Sequence, residues 1–176
     1  GQQRSSVLLA RPDHAGVEPL VDKHRLVPLG EWLPPLPAGL TRGLSAVGGL
    51  QPGDASRFVN AWPSPSAVAI CYEISDGRAL AKATAQGAEW LLTIANLDPY
   101  PQLLQRQFLA LAQLRAIETG RDVLSVANTG PTALVSADGT VQRLLKPRTD
   151  AVAAAELQRR QQLTGYSRLV WAWSSR

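Results

Sequence analysis

Methionine is absent from the 176 residues and cysteine occurs once. The lone Cys71 excludes an internal disulfide framework and a cysteine-based zinc site. His14 and His24 are the only histidines, too few to suggest a histidine-built metal cluster. No apolar run approaches the roughly 18–20 residues that a bilayer-spanning helix needs. The first residues do not show the pattern of a signal peptide. The missing methionine is read as a removed initiator or as a chain cut from something longer. Aromatic interleaving is also lacking where basic residues are densest, in "RLLKPR" (143–148) and "LQRRQQ" (157–162). The net charge of +4 is therefore not read as a nucleic-acid surface.

What is present suits a folded globular chain. Apolar residues make up 45% and charged residues 18%, and the length allows one domain with a sizeable core. "SVLLAR" (6–11) reads as a strand, and "EPLVDKHRLVP" (18–28) as an extended segment. Residues 34–66 are rich in Pro, Gly and Ser and read as a functional loop or lid carrying Trp62. "SAVAICYEI" (66–74) is a nearly continuous apolar run, as expected of a strand buried on both faces. A helix follows at 77–88 and a strand at 89–96. A second helix at 101–120 has Leu104, Phe108, Leu111 and Leu114 as its apolar stripe and Gly120 as its terminator. Strands at 122–128, 132–137 and 140–146 complete the pattern, the last two joined as a hairpin by Asp138-Gly139. Segment 151–157 is ambiguous, and the tail is basic and then aromatic. Strands alternating with helices predict an α/β layered protein.

Cys71 then falls near the C-terminal end of a central strand, where open α/β sheets place their chemistry. A buried cysteine is commonly a small hydrophobe. At a strand-to-turn junction it is also a candidate nucleophile. Lys23, in "DKHRLVPLGEW" (22–32), is a candidate fixed cation that would lower the thiol pKa and stabilise an oxyanion. Glu31 and Glu73 are candidates for holding that lysine or guiding a proton. The alternative is that Lys23 and Glu31 are solvated charges at a loop edge.

These segments carry a resemblance. "DKHRLVPLGEW", "CYEI" (71–74), "LLTIAN" (91–96) and "RAIETGRDVLSVANTG" (115–130) occur in the order seen in the carbon–nitrogen hydrolase (nitrilase) superfamily. "LVPLGEW" with "CYE" resembles its apolipoprotein N-acyltransferase branch. The resemblance implies a nitrilase-like α-β-β-α sandwich. It also implies that residues 1–176 form a single C-terminal part of that domain, lacking its N-terminal strands and helices. By motif match Cys71 takes the nucleophile role and Lys23 the oxyanion role. Glu31 matches the glutamate after the lysine, and Glu73 the one after the cysteine. Tyr72 and Asn96 match positions at the substrate. The family's base glutamate comes from an upstream "WPE"-type segment. Glu18, the only glutamate before Lys23, lies on the same extended segment and does not suit that role. The loop "LDPYP" stands where the family has an aromatic "D-x-W-F", and Phe108 stands for a histidine common in the branch.

The activity implied is transfer of an acyl chain from a phospholipid to a lipoprotein N-terminus through a cysteine thioester, with no cofactor. The implied setting is the inner (plasma) membrane, with this domain on the extracytoplasmic side against the membrane surface. Two other readings stay open: a soluble amidase-type hydrolase with water as acceptor, and a non-enzymatic homologue. Absent first strands are also expected to leave a sheet edge and an apolar face that favour self-association.

Overall fold

The computed structural model describes residues 3–33, 49–61 and 63–174. About half of the expected lid, residues 34–48 together with Trp62, lies outside the described residues. The chain divides into two compact units, Gly1–Ala55 and Ser56–Arg176.

The first unit is built on a hairpin. Strands β1 (Ser6–Ala10) and β2 (Val17–Asp22) pair antiparallel. Asp22 anchors the end of β2, accepting from Arg4 Nη1 at 2.8 Å and from Ser6 Oγ at 2.6 Å. The chain then passes through Lys23, whose N–H donates to the Ser5 carbonyl at 2.7 Å. Its carbonyl accepts from the Gly53 N–H at 2.8 Å. Position 53 requires glycine, because a Cβ there would collide with Asp22. Residues 27–32 close a tight loop in which Glu31 and Trp32 both donate their N–H to the Val27 carbonyl. Leu29 absorbs the turn at φ +63, a left-handed conformation uncommon for a residue with a Cβ.

The second unit is a six-stranded mixed sheet with helices. Strand order follows the chain: β3 (Phe58–Val59), β4 (Ser66–Ile70), β5 (Trp90–Ala95), β6 (Val123–Ala127), β7 (Thr132–Val135) and β8 (Val141–Leu145). β4, β5 and β6 run parallel, while the outer pairings are antiparallel. Helix α1 (Gly77–Ala85) connects β4 to β5, and helix α2 (Gln102–Thr119) connects β5 to β6. Both crossovers step the same way along the sheet. Right-handed connections therefore put both helices on one face.

Register explains the core. Phe58, Ala67, Leu91, Val123, Val135 and Val141 are paired in sequence across all six strands. All six belong to one apolar cluster or pack against it. The helices add Leu80 and Ala83 from α1, and Ala112 and Ala116 from α2. Alanines at the contact let α2 sit close to the sheet. The expected stripe on α2 is borne out at Phe108 and Leu111, which pack against the cluster, and corrected at its other two positions. Leu104 and Leu114 are exposed, whereas Gln105, Ala112, Arg115, Ala116 and Thr119 are buried. Gln105 is buried because its amide donates to the Leu97 and Tyr100 carbonyls.

Capping behaves as the sequence leads one to expect. The Asp76 carboxylate accepts the Ala79 N–H at the start of α1. Gly120 ends α2 at φ +63. Arg121, buried at the next position, donates to the carbonyls of Ala88, Thr119, Gly120 and Gln162. This ties the extended segment before helix α3 (Gly165–Ser174) to the sheet. Burial holds the Arg121 guanidinium below its usual pKa, with repulsion from Arg160 adding to the effect.

Candidate active site

The strand carrying the cysteine ends sooner than its hydrophobicity suggests. β4 stops at Ile70, and residues Cys71–Ser75 form a 3₁₀ turn. Cys71 sits at φ +54, in the left-handed region. That conformation costs a residue with a Cβ roughly 1–2 kcal/mol and persists only where the surroundings hold it. Cys71 itself is half-buried. Tyr72, the next residue, exposes its side chain.

Glu73 supplies one restraint. Both Glu73 and Arg57 are 3% exposed. Arg57 Nη1 donates to the two Glu73 oxygens at 3.1 and 2.9 Å. Glu73 Oε2 also accepts the Ile70 N–H at 2.8 Å, so one carboxylate reaches back across Cys71. Arg57 was not among the sequence candidates. A single arginine in a Gly/Ser-rich stretch has no signal separating it from an ordinary solvated charge.

The other two parallel strands bring polar side chains to the same edge of the sheet. Asn96 follows β5 and Asn128 follows β6. Asn128 Nδ2 donates to Asn96 Oδ1 at 2.7 Å. Asn128 Oδ1 accepts the Leu97 N–H at 2.9 Å, and Asn96 Oδ1 accepts the Asp98 N–H at 3.1 Å. The C-terminal edge of β4, β5 and β6 thus carries a thiol and two interlocked amides. Asn128 was also missed, although it ends the apolar run "VLSVAN" just as Asn96 ends "LLTIAN".

In the first unit the structure brings Lys23 and Glu31 together. Lys23 is fully buried, and its Nζ donates to both Glu31 oxygens at 2.7 and 2.6 Å. Glu31 Oε2 also accepts the Val27 N–H at 2.9 Å, a bond the tight loop makes possible. The same unit holds a cleft of about 280 Å³ lined by His24, Leu26, Pro28, Trp32 and Pro52. Glu18 is on exposed β2, 3.6 Å from His14.

Among the described residues no helix is long and apolar enough to cross a membrane, and no group of three or more His, Cys, Asp or Glu side chains could hold a metal ion. What the residues offer is covalent and electrostatic chemistry: a thiol on a strained turn, a buried ammonium, and amides at a sheet edge.

Comparison with known proteins gives this chemistry a context. Residues 4–164 match the family model for carbon–nitrogen hydrolases. The chain is 97% identical over 176 residues to the apolipoprotein N-acyltransferase of Parasynechococcus marenigrum (strain WH8102), covering 100% of this chain and 38% of that protein. It is 63% identical over 169 residues to the apolipoprotein N-acyltransferase of Prochlorococcus marinus (strain MIT 9313), covering 96% and 34% respectively. The chain therefore spans little more than a third of the length of these curated relatives. The carbon–nitrogen hydrolase of Helicobacter pylori G27 superposes with a TM-score of 0.49 at 17% identity, covering 81% of this chain and 50% of that one.

Proposed function

The chain belongs to the carbon–nitrogen hydrolase family, and we propose that within it the chain carries the nucleophile and the oxyanion-stabilising lysine of an acyltransferase. The observation that carries the reading is Cys71, presented on a left-handed turn at the end of a central parallel strand. The names of the relatives support acyl transfer to a lipoprotein as the reaction.

The chemistry follows from the groups. The Cys71 thiolate attacks the ester carbonyl of a phospholipid and forms a C–S bond. The carbonyl electrons pass to oxygen, and the oxyanion is stabilised by the Lys23 ammonium. When the oxyanion collapses, the C–O ester bond breaks. The departing alkoxide takes a proton and leaves as a lysophospholipid. The lipoprotein's N-terminal amine then attacks the thioester and passes through a second oxyanion. The C–S bond breaks and the thiolate is regenerated, while the amine proton goes to a general base for which no residue of this chain is assigned. One cation serves both half-reactions because both place negative charge on the same carbonyl oxygen. Glu31 fixes the ammonium in that role. Tyr72 and Asn96 are assigned to contact with substrate. The cleft of His24, Leu26, Pro28, Trp32 and Pro52 is apolar enough to take part of an acyl chain. A phospholipid donor places the reaction at a membrane surface. A lipoprotein acceptor places it on the extracytoplasmic side of the inner membrane.

The test is intact-mass measurement on the full-length protein given phospholipid without acceptor. The expected result is one acyl adduct, released by hydroxylamine, localised to Cys71 and absent from Cys71→Ala. Adding a diacylglyceryl peptide should discharge the adduct into N-acylated peptide. Discharge by water at the same rate without peptide would show a hydrolase instead. No adduct at Cys71 would defeat the reading.

A further inference from the structure

Arg57 is a buried cation that the proposed reaction does not use. It is attached on both sides of the nucleophile's position. Its backbone carbonyl accepts the Val68 N–H at 2.9 Å, on the strand leading into Cys71. Its guanidinium holds Glu73, on the turn leading out. Glu73 in turn accepts the N–H of Ile70, the residue immediately before Cys71. The result is a closed circuit from β4 through Arg57 and Glu73 back to β4, with Cys71 on its perimeter.

Two physical points give the circuit a purpose beyond holding the fold together. First, a buried ion pair is weak evidence for stability, since desolvating both charges offsets much of their attraction. Second, Cys71 is held at φ +54, where a residue with a Cβ does not rest unaided. The Ile70 and Glu73 ends of the turn must be restrained together for that angle to persist. Guanidinium is suited to the task because its planar, delocalised group holds Nη1 rigidly between the two Glu73 oxygens, whereas an ammonium is a point charge on a flexible stem.

We propose that Arg57 is a positioning residue for Cys71, acting through Glu73 to hold the thiol's turn in its left-handed conformation. The inference rests on the reading of Cys71 as the nucleophile. In this arrangement Glu73 serves as the clamp between Arg57 and the Ile70 amide.

The experiment uses the full-length protein with Arg57→Lys, which keeps the charge and loses the rigid planar group that carries Nη1. Two quantities are read on protein whose circular dichroism and Tm confirm folding. One is single-turnover acylation by phospholipid, resolved into maximal rate and half-saturation. The other is iodoacetamide labelling of Cys71, which reports the thiol's presentation without any lipid. The maximal acylation rate should fall by about tenfold to a hundredfold, the range that a displacement near 1 Å can cost. Half-saturation should move by less than about twofold, because Arg57 is placed outside the lipid contacts, and labelling should slow several-fold. An unchanged maximal rate or unchanged labelling in the folded variant overturns the proposal, as does a loss confined to half-saturation. Should Arg57→Lys not fold, the double variant Arg57→Met with Glu73→Gln leaves no buried charge and is judged by the same criteria. If the wild type labels at Cys71 but never acylates, the acyl-transfer reading fails. The labelling arm alone then decides the role of Arg57.

Discussion

Replacing either member of the Lys23–Glu31 pair should have very different consequences. Lys23 is fully buried, whereas the Glu31 side chain is 22% exposed. Glu31→Leu would strand an ammonium out of water after removing two charge-assisted hydrogen bonds at 2.7 and 2.6 Å. Breaking a buried pair in this direction costs about 3–5 kcal/mol, a large share of the ~5–15 kcal/mol that typically holds a domain folded. Lys23→Met is the milder change. Glu31 keeps the Val27 N–H and already reaches solvent, and a methionine fills most of the lysine's volume. That variant should stay within about 1 kcal/mol of wild type. The double variant should recover most of the loss, giving a coupling of about 2–3 kcal/mol between the two sites. Urea unfolding supplies the cycle, and hydrogen exchange at the Val27 and Glu31 amides reports the loop itself. If Lys23 has the proposed oxyanion role, acylation of Cys71 should nevertheless be lost in Lys23→Met. If Lys23→Met destabilises as much as Glu31→Leu, the pair is a structural element and the oxyanion role loses its physical basis.

Gly53→Ala should destabilise by roughly 1–3 kcal/mol or more, because the new Cβ meets Asp22 side chain and backbone rather than a movable side-chain tip. Loss of protection at the Gly53 amide, which donates to the Lys23 carbonyl, would localise the damage. Tyr166 has its pKa raised above 10.0 by burial first and by the neighbouring Glu118 charge second. The folded state therefore keeps the phenol proton where the unfolded chain has lost it. The stability this lends is complete below pH 10 and declines as the pH rises through the folded value. Tyr166→Phe should flatten that alkaline decline in a Tm-against-pH series, and an unchanged slope would refute the assignment.

Much of the second unit was legible because its signals are periodic. The apolar runs at 66–74, 89–96 and 122–128 became adjacent parallel strands, and Gly120 ended its helix where a left-handed residue was expected. The boundary at Cys71 was not legible. Ile74, at the far end of the apolar run, is 1% exposed, so burial continues although the strand does not. Hydropathy records burial and is blind to the change from extended backbone to 3₁₀ turn. The α2 stripe was half right: Phe108 and Leu111 pack against the core, whereas Leu104 and Leu114 are exposed. Leucines at helical spacing mark an apolar face, but the tight contact selected alanines, together with Gln105, Arg115 and Thr119. Helix α3 buries only Ser167 and Val170 along its length, too few to give its segment a period. The pairing of Lys23 with Glu31 was expected from the residue types in "DKHRLVPLGEW", whereas Glu73, also a candidate for holding that lysine, pairs with Arg57 instead, which requires coordinates to see.

Two of the pairs that join a buried cation to a carboxylate illustrate a division of labour that residue type makes intelligible. The Arg57–Glu73 pair has both partners 3% exposed, and its carboxylate also accepts a backbone N–H, so its bonding serves a fixed frame. The Lys23–Glu31 pair joins a fully buried ammonium to a carboxylate that still meets solvent. An ammonium carries three protons. The two Glu31 oxygens accept two of them, and in the proposed reaction a developing oxyanion would accept the third. A guanidinium in that place would be planar and broad where a compact charge is needed. An ammonium at position 57 would lack the rigid planar group whose Nη1 bridges both oxygens of Glu73. On the two proposed roles, exchanging the cations would keep every charge and lose both functions, since one role needs a rigid shape and the other a compact charge.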